Sequence, residues 1–247
     1  MQTTPRPTSF ALVLAFSLGC AHASPTASTL PTPEDTTPED RYAAAIRDAS
    51  EPTVAEEVHS LRPIRAENEA IVWDGARGSS RVRVVTWTSW DGYDARVGQE
   101  MDLSREVWVT TASEVQEACR AFVAEGDPLE LRLAQYLGLP PNTDKSRMVE
   151  LWVAPADVFR PCADAEIDDD HCGLDFPAGT SDFHRAWITD LRARSYGESG
   201  YPWTQLGYTY DWGRDDRHVG ASEFVIRAGA HVAVVSVQTT EAYCAAR

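Results

Sequence analysis

The chain predicts an α+β fold: one domain with a mixed or mostly antiparallel sheet, several helices and a C-terminal β-hairpin. Segments alternating at period two are interspersed with segments of helical spacing, without the regular strand–helix alternation of a parallel sheet. The 247 residues, 43% hydrophobic and 24% charged, suffice for one domain with a real core and are marginal for two. Nothing after the first twenty residues approaches the length of an apolar membrane span.

The elements follow in order. Asp40 to Ala49 has the pattern of a short helix. Ile71-Val72-Trp73 and Arg81 to Trp90 flank a Gly/Ser turn and read as a hairpin, Val82 and Val84 alternating with Arg81 and Arg83. Glu106 to Thr110 is a short strand. Ser113 to Val123 has helical spacing at Val115, Ala118, Cys119 and Phe122. Asp127-Pro128 starts another helix that Gly138 stops. Met148 to Val153 reads as a buried strand, and Ser181 caps a helix through Phe183, Trp187, Ile188 and Leu191 that ends by Gly197. Ser222 to Ile226 and His231 to Val237, joined through Ala228-Gly229, form the expected last hairpin. Trp87, Trp90 and Trp108, on strands, are expected in the core.

Residues 1–23 read as a signal peptide: Arg6, an apolar run from Phe10 to Leu18 broken by Ser17, then small residues. Two cleavage routes compete. Leu18-Gly19-Cys20 resembles the end of a bacterial lipobox, with residues 1–19 removed and Cys20 lipidated; Ser17 stands where that pattern usually has Leu. Ala21-His22-Ala23 offers an ordinary signal-peptidase site. Either way the chain is exported, held in the cell envelope (outer membrane or periplasm) as a lipoprotein or secreted soluble. Residues 24–57 are rich in Pro, Thr and acid and read as a linker containing the short helix, leaving 58–247 as the globular domain.

With Cys20 lipidated or removed, Cys119, Cys162, Cys172 and Cys244 remain. Four cysteines in an oxidising compartment allow three connectivities. Cys162–Cys172, closing a short loop, and Cys119–Cys244, tying the C-terminal tail to a helix, are favoured.

The formal net charge of −16 argues against binding nucleic acid through its phosphates. It is also unevenly placed: residues 24–57 hold eight acids against two Arg, and the stretch between Arg160 and Arg185 holds seven acids and no base. Lys145 is the only lysine, beside 21 arginines, a matter of genomic composition.

Two stretches carry candidate chemistry. In the loop from Cys162 to Cys172, Asp164, Glu166, Asp168 and Asp170 supply the hard oxygens that a structural Ca²⁺ prefers; no other cofactor is implied. Counting from Asp164, acids fall at positions 1, 3, 5 and 12, but position 6, which an EF-hand needs as Gly, is Asp169. In the second stretch, Tyr201 to Glu223, the aromatics Trp203, Tyr208, Tyr210 and Trp212 crowd beside Asp211, His218, Ser222 and Glu223. The aromatics are candidate ligand-binding walls, and His218, Glu223 and Asp211 candidate catalytic groups for proton transfer. No G-x-S-x-G elbow, H-E-x-x-H, C-x-x-C, P-loop or G-x-G-x-x-G occurs.

Residues LGLPPN (137–142), VELWVAPADVFRPC (149–162) and YPWTQLGYTYDWG with HVGASEFVI (201–226) resemble an uncharacterised group of bacterial exported proteins, which implies no activity. Arg83, Thr86-Trp87-Thr88-Ser89 and Glu223 are also similar in order to the Arg, Ser/Thr-rich strand and catalytic Glu of NAD-dependent ADP-ribosyltransferases, although Thr86 follows Arg83 too closely. The leading expectation is an envelope-tethered domain that binds an unidentified protein or small molecule, touching membrane only through a lipid at Cys20. The alternative is an exported hydrolase or transferase using His218 and Glu223 in an aromatic cleft.

Overall fold

Seven antiparallel strands form the main sheet: β1 Val82–Thr88, β2 Glu100–Asp102, β3 Val107–Thr111, β4 Arg147–Val153, β5 Val158–Phe159, β8 Phe224–Ile226 and β9 His231–Gln238. Their order is β2-β9-β4-β1-β3-β8-β5. A separate two-stranded hairpin pairs β6 (Tyr208–Tyr210) with β7 (Val219–Ser222). Among the described residues five α-helices accompany them: α1 Pro38–Ala49, α2 Ala112–Glu125, α3 Leu129–Tyr136, α4 Asp182–Ser195 and α5 Thr240–Ala245. The α+β expectation is met. This computed structural model describes residues 1–2, 36–197 and 199–245, and Thr36–Arg247 groups as one compact unit. The signal peptide, Cys20 and residues 24–35 of the expected linker lie outside the described residues, apart from Met1 and Gln2. Among the described residues no helix is long and apolar enough to cross a membrane.

Strand alternation gives the sheet two apolar faces. On the first, Val82 and Val84 of β1 pack with Val149 and Leu151 of β4, Val232 of β9, Phe224 of β8, and Ile64 and Ile71 from the segment before the sheet. On the second, Val85, Trp87 and Met148 pack with Val115, Cys119 and Phe122 of α2, Leu133 of α3 and Tyr243 of α5. Both favoured disulfides are formed. Cys119–Cys244 joins α2 to α5 across 125 residues, and Cys162–Cys172 closes a ten-residue interval. Loop closure over 125 residues has the larger effect on the unfolded chain, on the order of 4–5 kcal/mol by chain entropy.

Helix ends follow the residues that flank them. Ser181 caps α4 by accepting from the His184 amide at 3.2 Å. Thr37 and Asp40 form a reciprocal capping box on α1. Gly138, at φ +64°, lets the chain turn after α3 and run close to the Tyr210 backbone.

Three expectations are corrected. Residues 36–57 belong to the compact unit: Tyr42, Ala45, Ile46 and Ala49 of α1 are buried in a cluster with Tyr210 and Trp212. Composition flagged the segment as linker because its apolar residues lie on one helical face. The last two strands exist but do not pair with each other; β8 pairs with β3 and β5, and β9 with β4 and β2. The hairpin near the C-terminus is β6–β7 instead. Trp90, expected in the core, is 49% exposed.

Trp212 secures α1. Its Nε1 donates to the Leu139 carbonyl at 2.9 Å, and its ring meets Tyr42 edge-on at 5.8 Å between centroids. Trp212→Ala is expected to lower stability by roughly 3–5 kcal/mol. A thermal melt checks this, and an unchanged midpoint would contradict the docking of α1.

Candidate functional site

A cavity of about 670 Å³ lies between the second sheet face and its cover. Val85 pairs with Thr110, and Trp108 with Val225. Alternation therefore puts Val85 and Trp87 of β1, Trp108 and Thr110 of β3, and Glu223, two residues before Val225, on the same face. All five border the cavity, with Met148 of β4. The walls are Leu137 to Leu139 after α3, Leu191 and Ser195 of α4, Pro202 and Trp203 of the following loop, and Tyr210 of β6. Exposed Trp90, Arg105, Arg194 and Tyr201 form the rim, with half-buried Lys145.

Three buried polar atoms on this lining have no hydrogen-bond partner: Trp87 Nε1, Thr110 Oγ1 and Glu223 Oε2. Buried polar atoms are normally satisfied, because leaving one bare costs about 1–3 kcal/mol. The Glu223 amide donates to the Gly207 carbonyl at 2.9 Å, and the residue borders the cavity. Glu223 as a residue is half-buried, but Oε2 is sealed from solvent, and burial alone pushes the carboxyl up to about 8. Such a group is largely protonated at neutral pH, and it donates or accepts according to what meets it. Burial also pushes the Lys145 ammonium below its ordinary range, opposed by the charge of Asp144.

The expected catalytic trio is not assembled. Asp211 is held by Arg132 in a buried bidentate pair at 2.8 and 2.6 Å, and Arg132 lies over the Phe122 ring at 4.4 Å. His218 stacks on Tyr210 at 4.6 Å, and its Nδ1 lies 3.3 Å from the Asp211 carbonyl. Of the three, only Glu223 borders the cavity. The hydroxyl of Ser222 donates to Glu114, not toward Glu223.

The aromatics divide in the same way. Trp203 and Tyr210 line the cavity. Tyr208 instead donates its hydroxyl to the Glu56 carbonyl at 2.9 Å, and Trp212 bonds Leu139; both fasten the loop. Trp87 and Thr110 were missed as site residues. A strand tryptophan and threonine look like core from sequence, and only the gap above them sets them apart.

The acidic loop surrounds a cation of the protein's own. Arg160, fully buried, donates from Nε to the Glu166 carbonyl at 3.1 Å and from Nη2 to the Asp169 carbonyl at 2.9 Å. Among the described residues no group of three or more His, Cys, Asp or Glu side chains is placed to hold a metal ion, so Asp164, Glu166, Asp168 and Asp170 do not form the expected cluster. Two of the loop's carbonyls turn inward to the guanidinium.

Comparison with protein-family models, with curated proteins and with solved structures found no match. Of the residues similar in order to ADP-ribosyltransferases, Thr86, Trp87, Thr88 and Glu223 border the cavity. Arg83 does not; it is paired with buried Glu150 at 3.0 and 2.9 Å, and Ser236 braces that carboxylate.

The raised pKa of Glu223 sets the sign of a pH effect. Folding makes this carboxyl bind its proton more tightly, so its contribution is complete below the ordinary carboxylate range and is lost as pH rises through about 8. Glu223→Gln keeps the shape and stays neutral. Melts of the two proteins are expected to coincide near pH 4 and separate as pH rises to 9, the variant then being more stable by on the order of 5 kcal/mol. A constant difference across that range would contradict the burial of this carboxyl.

Proposed function

We propose that the chain is an exported small-molecule-binding domain, tethered to the cell envelope through Cys20, whose ligand occupies the cavity over Trp87, Thr110 and Glu223. One observation carries the reading: the residues that bear three of the unpaired buried polar atoms, Trp87 on β1, Thr110 on β3 and Glu223 just before β8, border a single cavity. The cavity's volume lies within the range of about 300–1,000 Å³ usual for small-molecule sites, and its mix of aromatic walls with a few polar groups is the usual makeup. The two disulfides fit an oxidising compartment.

An enzymatic reading has one observation in its favour, a carboxyl pushed up to about 8, close to the working range of a general acid. It would use Glu223 without His218 or Asp211.

A thermal-shift screen of small polar aromatics tests the proposal. A ligand of the cavity is expected to raise the melting midpoint, and Glu223→Ala to weaken its binding roughly tenfold or more, one lost buried hydrogen bond. Hits that bind Glu223→Ala as well as the unaltered protein would contradict it. Turnover of a hit that Glu223→Gln abolishes while binding persists would favour the enzyme.

A further inference from the structure

The rim of the cavity carries its own charge pattern. Arg105, Lys145 and Arg194 all border it, and among the described residues none of the three forms an ion pair. Among the described residues Glu106 is the rim's carboxylate; it accepts from Trp187 Nε1 at 2.9 and 3.1 Å and keeps its charge, so the rim sets three positive groups against one negative. In a chain of net charge −16, three unpaired bases around one opening make a local positive field within a negative molecule.

The polar floor lies at the other end. The Ser146 amide, next to Lys145, bonds the Thr88 carbonyl, three residues along β1 from Val85. Val85 pairs with Thr110, and β3 in turn pairs with β8, which follows Glu223. Arg147 of β4 pairs with Thr88 and follows Lys145 by two residues, so strand geometry separates the Lys145 and Glu223 backbones by roughly 20 Å, about five residues along and three strands across. Side chains reaching inward leave room for a body two or three rings long. Its flat faces would meet Trp87, Trp108 and Trp203.

We propose that the ligand is a planar organic anion: an aromatic body between the tryptophans, a hydrogen-bonding edge at Thr110 and Glu223, and an acidic group at Arg105, Lys145 and Arg194. The Trp87 N–H is a donor only, so it calls for an acceptor on the ring. Thr110 and Glu223 take a donor or an acceptor. A cationic ligand would find Glu223 favourable but would meet three like charges at the opening.

This inference rests on the small-molecule reading above, and one pair of probes separates the two. 8-Anilinonaphthalene-1-sulfonate and N-phenyl-1-naphthylamine share an aryl-amine body and differ by the sulfonate. Fluorescence titration of the full chain at low salt is expected to give a dissociation constant at least tenfold lower for the sulfonate. The gap should shrink in 0.5 M NaCl, where screening shortens to a few ångströms (about 4 Å). The Arg105→Ala/Lys145→Ala double variant should bring the ratio of the two constants close to one. Equal binding of both probes by the unaltered protein, or a ratio unmoved by the double variant, would overturn the anion and leave the cavity reading intact. Saturable binding of neither probe would overturn both.

Discussion

The second face of the sheet has to be covered, and two separate covers do it. Helices α2, α3 and α5, with the Cys119–Cys244 disulfide between the first and last, lie over Val85, Trp87 and Met148. Helix α4 and the loop through Trp203 lie over the β3 side, where Ile188, Leu191 and Trp203 pack with Trp108. Burial of apolar surface drives both covers onto the sheet. The cavity is bordered by residues of each, so it occupies the seam between them. Its floor, walls and rim all follow from that division.

The seam also explains the chemistry of the floor. A carboxyl placed over a fully packed face would need a partner, as Glu150 has in Arg83 and Ser236 and Asp211 has in Arg132. Glu223 faces a space instead, and stays neutral more readily than it ionises. Thr110 and Trp87 share its situation. Arg160 is a mixed case: carbonyls of the loop wound around it accept from Nε and Nη2, while its Nη1 has no partner.

Much of the fold was legible in the residues, for physical reasons. Strands β1, β3 and β4 carry runs of Val and Trp, and α2 and α4 carry helical spacing with recognisable starts. The two cysteine pairs were favoured from loop length and from the chance to anchor the tail. Strand pairing was not legible, because β8 and β9 sit either side of three intervening strands although only four residues join them. Strands of two or three residues, such as β2 and β5, are too short to show a period. Within the site, Glu223, Trp203 and Tyr210 were picked out by the crowding of polar and aromatic residues in one stretch. The same crowding wrongly drew in His218 and Asp211, whose partners, Tyr210 and Arg132, become visible only in three dimensions. Thr110 and Trp87 became site residues through what is missing above them.

The central claim is that Glu223 presents a desolvated carboxyl to the cavity. The most direct measurement is a titration of its side-chain carboxyl carbon by ¹³C NMR, with the signal assigned by its loss in Glu223→Gln. A midpoint near 8 is the predicted result. A midpoint in the ordinary glutamate range, about 4.3, would mean a solvated or paired carboxylate and would contradict the account.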